Sequence, residues 1–243
     1  MNVLGILGNK NAGKDTVGKM VTDSCNGKSI AFATPLKELA AVVFGFNADQ
    51  LWGPSGERDK PDPRYDKSHP DLMRTWRIAD NQFAAYAPYW LQRIGHSEAM
   101  PMLRAWLGTM KKLDYLTPRW VLQTLGTEFG RAVTPDVWVA YGLKDAADRL
   151  SRGAGIVVIT DTRFLNEART ICEAGGAVWH IIRSSASLDT HASERDQADP
   201  EMKQYVTEVI YNVGSLQDLE TLVGGAVGRL RSKWVLPLRT AQK

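Results

Sequence analysis

The stretch VLGILGNKNAGKDT, residues 3–16, constrains the fold of this chain more than any other. Its opening residues, Val3 to Leu7, read as a strand buried on both faces. Gly8, four residues, Gly13 and Lys14 follow at once, and from Gly13 to about Ser24 the apolar Val17, Met20 and Val21 fall at helical spacing. Strand, glycine-bounded loop and helix in this order are the frame of a phosphate-binding loop (P-loop), the plain alternative being a Gly-rich strand-to-helix turn with a surface lysine. Glycines let successive backbone N–H groups turn inward, the helix N-terminus adds partial positive charge, and Lys14 supplies a point charge. The usual form has a Ser or Thr after the lysine to bind Mg²⁺, whereas here Asp15 follows and the hydroxyl is displaced to Thr16. Asp15 either takes part in holding Mg²⁺ or only stabilises the helix start, and the residues leave both open. The departure argues against a GTPase switch, as does the lack of a clear Asn-Lys-x-Asp guanine motif.

The same alternation continues downstream. Residues 28–33 read as a second strand, with Thr34 as N-cap and Pro35 opening a helix that carries Leu36, Leu39, Ala40 and Val43 on one face. Residues 155–161 form a β-branched run ending in Asp161, followed by a helix with Phe164, Ala168, Ile171 and Cys172 on its apolar side. Strands are expected at 177–183 and 207–212, and a last helix from near Ser215. Alternating strands and helices imply an α/β fold of three layers, α/β/α, with a central parallel sheet. Two stretches stand outside the pattern. Residues 45–116 pass from a Pro-, Gly- and charge-rich loop into aromatic helical sequence, as expected of a helical insertion. Residues 184–204 are polar and lie between two strands, where they form either a lid or a surface loop.

With 243 residues, 44% of them hydrophobic and 23% charged, the composition is that of a soluble globular protein. The net charge of +3 is only mildly basic and no block of like charge suggests a nucleic-acid tail, so a small polyanion suffices as ligand. Cys25 and Cys172 lie far apart and offer neither a disulfide framework nor a metal pair, which points to a reducing cytoplasm. The apolar run at the N-terminus is too short for a signal peptide or a membrane span.

Two further constellations carry chemistry. In residues 116–138, Thr117 and Pro118 open a helix that Gly126 is expected to stop, and on it Arg119 and Gln123 share one face. Arg suits a phosphate and Gln a base edge, with Arg131 beyond the turn and Trp138 on the next helix; a solvated helix face beside a core Trp is the plain alternative. In residues 161–167, at the carboxyl end of the strand, Asp161 occupies the place of a carboxylate for Mg²⁺ or its waters and Arg163 is placed to reach a transferring phosphoryl group. The alternative is that Asp161 caps the helix and that Arg163 with Glu167 forms a surface pair. His191 is too isolated for a metal ligand, and Arg195 is the better cation for a lid. Arg58, Lys60 and Arg64 are candidates for further phosphate contacts, with a solvated loop the plainer account of most of them.

The segments GKDT (13–16), FATPLK (32–37), PRWVLQTLGTEFGR (118–131), DTRFLNE (161–167) and HASE (191–194) together resemble the deoxynucleoside monophosphate kinases of bacteriophages. These are a branch of the P-loop nucleoside monophosphate kinases. The resemblance runs discontinuously over most of the chain and leaves 45–116 unmatched. It implies a single P-loop kinase domain over 1–243, with 45–116 as a helical insertion on the monophosphate side and 184–204 as lid. The implied reaction moves the γ-phosphoryl group of ATP to a deoxynucleoside monophosphate, with Mg²⁺. On this resemblance Asn11, Ala12, Gly13, Lys14, Asp15, Thr16 and Arg195 hold ATP, and Lys10 lies near the transferred group. Lys37, Arg119, Gln123, Gly126, Thr127, Arg131 and Trp138 hold the acceptor. Arg131 stands at its phosphate, and Gln123 with Trp138 around its base and sugar. Asp161, Arg163 and Glu167 line the acceptor side. Lys10, Lys14, Arg131, Asp161 and Arg163 are the implied catalytic groups, and Asp15, Thr16 and Asp161 the metal-side oxygens. No nucleic acid or membrane is required, the Trp-rich insertion offers a surface for a homodimer, and the compartment is the cytoplasm, that of the host for a phage gene. The competing functions are a dephospho-coenzyme A or phosphomevalonate kinase of the same fold, and a nucleic-acid-dependent P-loop ATPase.

Overall fold

A computed structural model describes residues 1–9, 11–53, 55–183 and 200–234. The chain divides into two compact units, one formed by Met1–Phe32 with Gly142–Lys243 and the other by Ala33–Tyr141.

The first unit opens with β1 (Val3–Leu7), α1 (Lys14–Ser24) and β2 (Lys28–Ile30). The second holds α2 (Thr34–Phe44), α3 (Ala48–Trp52), α4 (Ser55–Asp59), α5 (Leu72–Ile94), α6 (Met100–Met110), α7 (Pro118–Thr124) and the short α8 (Arg131–Val133). The unit boundary falls inside α9 (Val137–Ser151). The first unit then resumes with β3 (Val157–Ile159), α10 (Leu165–Glu173), β4 (Ala177–Ile182), β5 (Glu208–Tyr211) and α11 (Leu216–Lys233).

All strands of the first unit join one parallel sheet in the order β2-β3-β1-β4-β5. Successive residues of a strand point to opposite faces, so each strand feeds two layers. Leu4, Ile6, Val158, Trp179, Ile181 and Ile210 share a core with Val17 and Val21 of α1 and Leu219, Val223 and Leu230 of α11. On the opposite face Gly5 lies so close to α10 that a Cβ would stand 2.8 Å from Ile171 Cδ1. The expected three-layer α/β/α arrangement is therefore present. Chain order reverses around β1, whose neighbours are β3 and β4, and the crevice at the carboxyl end of such a switch is where α/β sheets bind ligands.

The strands are shorter than the apolar runs suggest. β2 stops at Ile30 and β3 at Ile159, because beyond them a side chain replaces the ladder: the Phe32 N–H donates to Asp161 Oδ1 at 2.8 Å. The helix expected to be capped by Thr34 begins at Thr34 itself, after Ala33, with Pro35 in its first turn.

The second unit is wider than residues 45–116, since α2 and the segment from α7 to Tyr141 belong to it. Its core is aromatic: Phe44 contacts Phe46, Tyr65, Trp76 and Trp106, and the buried Trp90 donates its indole N–H to Pro35 O at 2.8 Å. A charged clamp closes the loop after α2. The buried Asp62 accepts from Arg64 Nε at 2.9 Å, Arg64 Nη2 at 2.7 Å and Gln50 Nε2 at 2.9 Å, while Arg64 also donates to the Phe44 and Gly45 carbonyls. Burial alone would raise the Asp62 pKa, but these donors hold it below the ordinary carboxylate value. Arg64 is thus a structural cation of this unit. An Arg64→Ala variant should lose about 2–3 kcal/mol of stability, since it leaves a buried carboxylate without its main partner. Urea unfolding checks this, and an unchanged midpoint would contradict it.

Candidate active site

In the first unit the phosphate-loop sequence folds as a tight turn between β1 and α1. Gly8 has φ 150°, and a Cβ on it would stand 2.7 Å from the Ile181 carbonyl oxygen, so no side chain fits there. Ala12 N–H donates to Asn9 O at 3.1 Å, and Asn11 (φ 65°) and Gly13 (φ 98°) take left-handed conformations that bend the loop into α1. Lys14 folds back over the turn, its Nζ donating to Gly8 O at 2.5 Å and Asn9 O at 2.8 Å. Asp15 and Thr16 are exposed in the first turn of α1, where backbone amides have no carbonyl a turn earlier to bond and a carboxylate meets the positive end of the helix dipole.

Around this turn the sheet edge adds polar groups. Asp161 follows β3, half-buried, with Oδ1 on the Phe32 amide. Arg163 is exposed. Glu167 is buried, and its Oε2 accepts from the Arg163 N–H at 2.8 Å and the Phe164 N–H at 3.1 Å. Glu167 thus caps the start of α10 and sets where residues 161–164 point, a role that spacing alone did not suggest. Two residues escaped sequence reasoning altogether. His180 stands opposite Leu7 in the ladder, and burial with the neighbouring Lys14 charge pushes its pKa below the ordinary imidazole value. The buried Asn212, just past β5, donates Nδ2 to Ala12 O at 2.9 Å. A polar residue closing the apolar run VIYN was the one available signal.

In the second unit Thr117 caps α7 by accepting from Trp120 N–H at 3.1 Å. Gly126 does not stop this helix, contrary to expectation. The chain continues through a π-helical turn, Leu125–Gly130, directly into α8. Trp138 explains the wide turn. Its buried indole donates Nε1–H to Gly126 O at 2.9 Å, and its ring lies where a Cβ on Gly130 would stand 2.1 Å from Cζ2. Trp138 is closed on these glycines and supports the turn. Arg119 and Gln123 are both half-buried on α7, with Arg119 ion-paired to Asp59 of α4. The Thr127 hydroxyl donates to Gln123 O at 2.7 Å, and Arg131 is half-buried at the start of α8. Lys37 on α2 places Nζ 5.6 Å from the ring centroid of the largely exposed Trp52. The structure therefore groups Lys14, Asp15, Thr16, Asp161, Arg163 and Glu167 in one unit, and Lys37, Arg119, Gln123, Gly126, Thr127, Arg131 and Trp138 in the other.

Lys10, Arg195 and residues 184–199 of the expected lid lie outside the described residues. Among the described residues no group of three or more His, Cys, Asp or Glu could hold a metal ion, and no helix is long and apolar enough to cross a membrane. Burial raises the pKa of both free cysteines, Cys25 and Cys172, which makes them poor nucleophiles.

The His180 environment has a consequence for pH. A histidine whose folded pKa lies below its unfolded value contributes stability that is full above about pH 6.5 and is lost as the pH falls through the folded value. Unfolding temperatures measured from pH 7.5 to 5 should fall less steeply for His180→Gln than for the unaltered protein. Parallel curves would contradict the assignment.

The family model for deoxynucleotide monophosphate kinase matches residues 90–223, more than half of the chain, including α7, the π-helical turn, Asp161, α10 and β5. The chain is 28% identical over 193 residues to the deoxynucleoside-5'-monophosphate kinase of Escherichia phage T5, covering 71% of this chain and 73% of that protein. It is also 28% identical over 195 residues to a protein of Acanthamoeba polyphaga mimivirus provisionally named a deoxynucleotide monophosphate kinase, covering 80% and 81%. With its three-layer parallel sheet and the family's own model matching across both units, the chain belongs to the deoxynucleotide monophosphate kinase family.

Proposed function

We propose that this chain transfers the γ-phosphoryl group of ATP to a deoxynucleoside monophosphate, giving the diphosphate and ADP. The observation that carries this reading is the turn between β1 and α1. Its glycines bend the backbone through left-handed conformations, and a lysine ammonium already lies across it on the Gly8 and Asn9 carbonyls. Those carbonyls hold Lys14 where a triphosphate would meet it, and exchanging them for β- and γ-phosphate oxygens satisfies the same ammonium with stronger, charged partners. Asn11 to Thr16 would hold the remaining phosphate oxygens through backbone N–H groups and the Thr16 hydroxyl.

The oxygen donors at this edge fit a hard cation. Asp15 and Thr16 lie on the first turn of α1 and Asp161 just past β3, all oxygen ligands of the kind Mg²⁺ takes. Mg²⁺, when bound, neutralises charge on the β- and γ-phosphates. Asp161 would be among the residues that hold the metal, with its Oδ1 fixed by the Phe32 N–H.

The acceptor side is read from the second unit. Arg119 and Arg131 supply guanidinium groups for the monophosphate, Gln123 a carboxamide for the base edge, and Lys37 a further cation. The Trp138-supported turn presents Gly126 and Thr127. In the transfer an acceptor phosphate oxygen attacks the γ-phosphorus and the bond to the bridging oxygen of ADP breaks. The acceptor phosphate is already anionic, so catalysis consists of alignment and charge stabilisation, to which Arg163 contributes without a strong base.

An acceptor panel tests this reading: ATP with dAMP, dGMP, dCMP and dTMP, and with dephospho-coenzyme A and phosphomevalonate for comparison. At least one deoxynucleoside diphosphate is expected, and its absence with all four nucleotides would refute the assignment. Lys14→Ala should lower kcat at least 100-fold with folding retained. Arg119→Ala should raise the KM for the monophosphate about tenfold while that for ATP stays within twofold, the loss of one charged hydrogen bond. A reversed pattern for Arg119 would remove it from the acceptor site.

A further inference from the structure

Asn212 lies 200 residues from the phosphate loop and touches it directly. Its own backbone is fixed by the sheet, since the Asn212 N–H donates to Ile182 O at 2.8 Å and extends the β4–β5 pairing past Tyr211. Its side chain is buried, with Nδ2 donating to the Ala12 carbonyl at 2.9 Å. A peptide unit is planar and trans, so the C=O of Ala12 and the N–H of Gly13 point in opposite directions. Holding that carbonyl on Asn212 therefore turns the Gly13 N–H away from Asn212.

A second contact closes the alternative. Gly13 has φ 98°, and a Cβ there would stand 2.6 Å from Asn212 Nδ2, so the carboxamide lies directly against the glycine backbone. Rotation of the Ala12–Gly13 peptide would break the hydrogen bond and bury an unpartnered amide nitrogen, which is unfavourable. Glycine is the residue most open to such a flip, because both signs of φ are available to it. A flipped unit would present a carbonyl oxygen where an anion needs a donor.

We propose that Asn212 is a positioning residue for the phosphate loop, locking the Ala12–Gly13 peptide so that it offers an N–H and not an oxygen to the phosphates of the nucleotide. The inference rests on the reading that this loop binds ATP, and it adds a group from β5 that acts through the backbone without touching substrate. It also accounts for the type of residue. Asn supplies a neutral donor of the right length, where a carboxylate would repel both the carbonyl and the incoming phosphates.

The test uses the full chain with Asn212→Leu, which keeps the branching at Cγ and removes the donor. Titration calorimetry with ADP should show binding weakened about tenfold, equivalent to ~1.4 kcal/mol. The KM for ATP should rise in parallel and the KM for the monophosphate stay within twofold. The unfolding temperature of the protein alone should stay within a few degrees. Asn212→Ser, whose hydroxyl ends a bond short of the amide nitrogen, serves if the leucine variant does not fold, and should show the same pattern. Unchanged ADP binding in the variant would overturn the proposal while leaving the ATP reading intact. ADP and monophosphate affinity falling together with the unfolding temperature would make Asn212 a structural strut and nothing more. An unaltered protein that binds no ADP would instead overturn the loop assignment and this inference with it.

Discussion

The direction in which a few peptide groups point, in the turn between β1 and α1, governs what the rest of the first unit is arranged to do. A loop that is to bind anions must aim N–H groups inward and carbonyls outward, against the tendency of any isolated turn to sample both. Three contacts shape this turn. Gly8 fits beside the Ile181 carbonyl only because it lacks a side chain, Lys14 gathers the Gly8 and Asn9 carbonyl oxygens, and Asn212 takes that of Ala12. These anchors come from β4, α1 and the end of β5, so the central sheet is in effect the template for the loop. The switch in strand order around β1 is what brings β3 and β4 to its two sides and their carboxyl ends to the same edge.

The second unit solves a different problem with similar means. A π-helical turn is rarely stable on its own and recurs at functional sites, where it re-aims side chains within an otherwise helical run. Here Trp138 closes on Gly126 and Gly130, and Arg119 and Gln123 precede the turn while Arg131 follows it. The distortion separates these groups along the chain without interrupting the helix. An aromatic core around Phe44 and the Asp62–Arg64 clamp give that helix a firm support.

What could be read from the sequence was what depends on local pattern. β1, α1, the Pro35 helix start and the helix start near Ser215 follow from apolar periodicity and turn chemistry within a few residues, and so does the glycine-bearing turn between β1 and α1. Features set by distant partners were not legible. Gly126 looked like a stop because glycine commonly ends helices, but Trp138, twelve residues on, holds its carbonyl and lets the helix run through. Glu167 and Arg163 had surface-pair spacing, yet burial turned the carboxylate onto backbone amides. Asn212 carries no local signal of its partner at all, since only the folded sheet brings it to Ala12. The resemblance carried by the short motifs points to the same family as the model that matches residues 90–223.

The most direct test of the account is the fate of the terminal phosphate. With ATP labelled at the γ-position and a deoxynucleoside monophosphate in excess, the label is predicted to appear in the deoxynucleoside diphosphate at the rate at which ADP forms. Label released only as inorganic phosphate, with no labelled diphosphate, would mean that the loop serves an ATPase and would contradict the assignment of an acceptor site to the second unit.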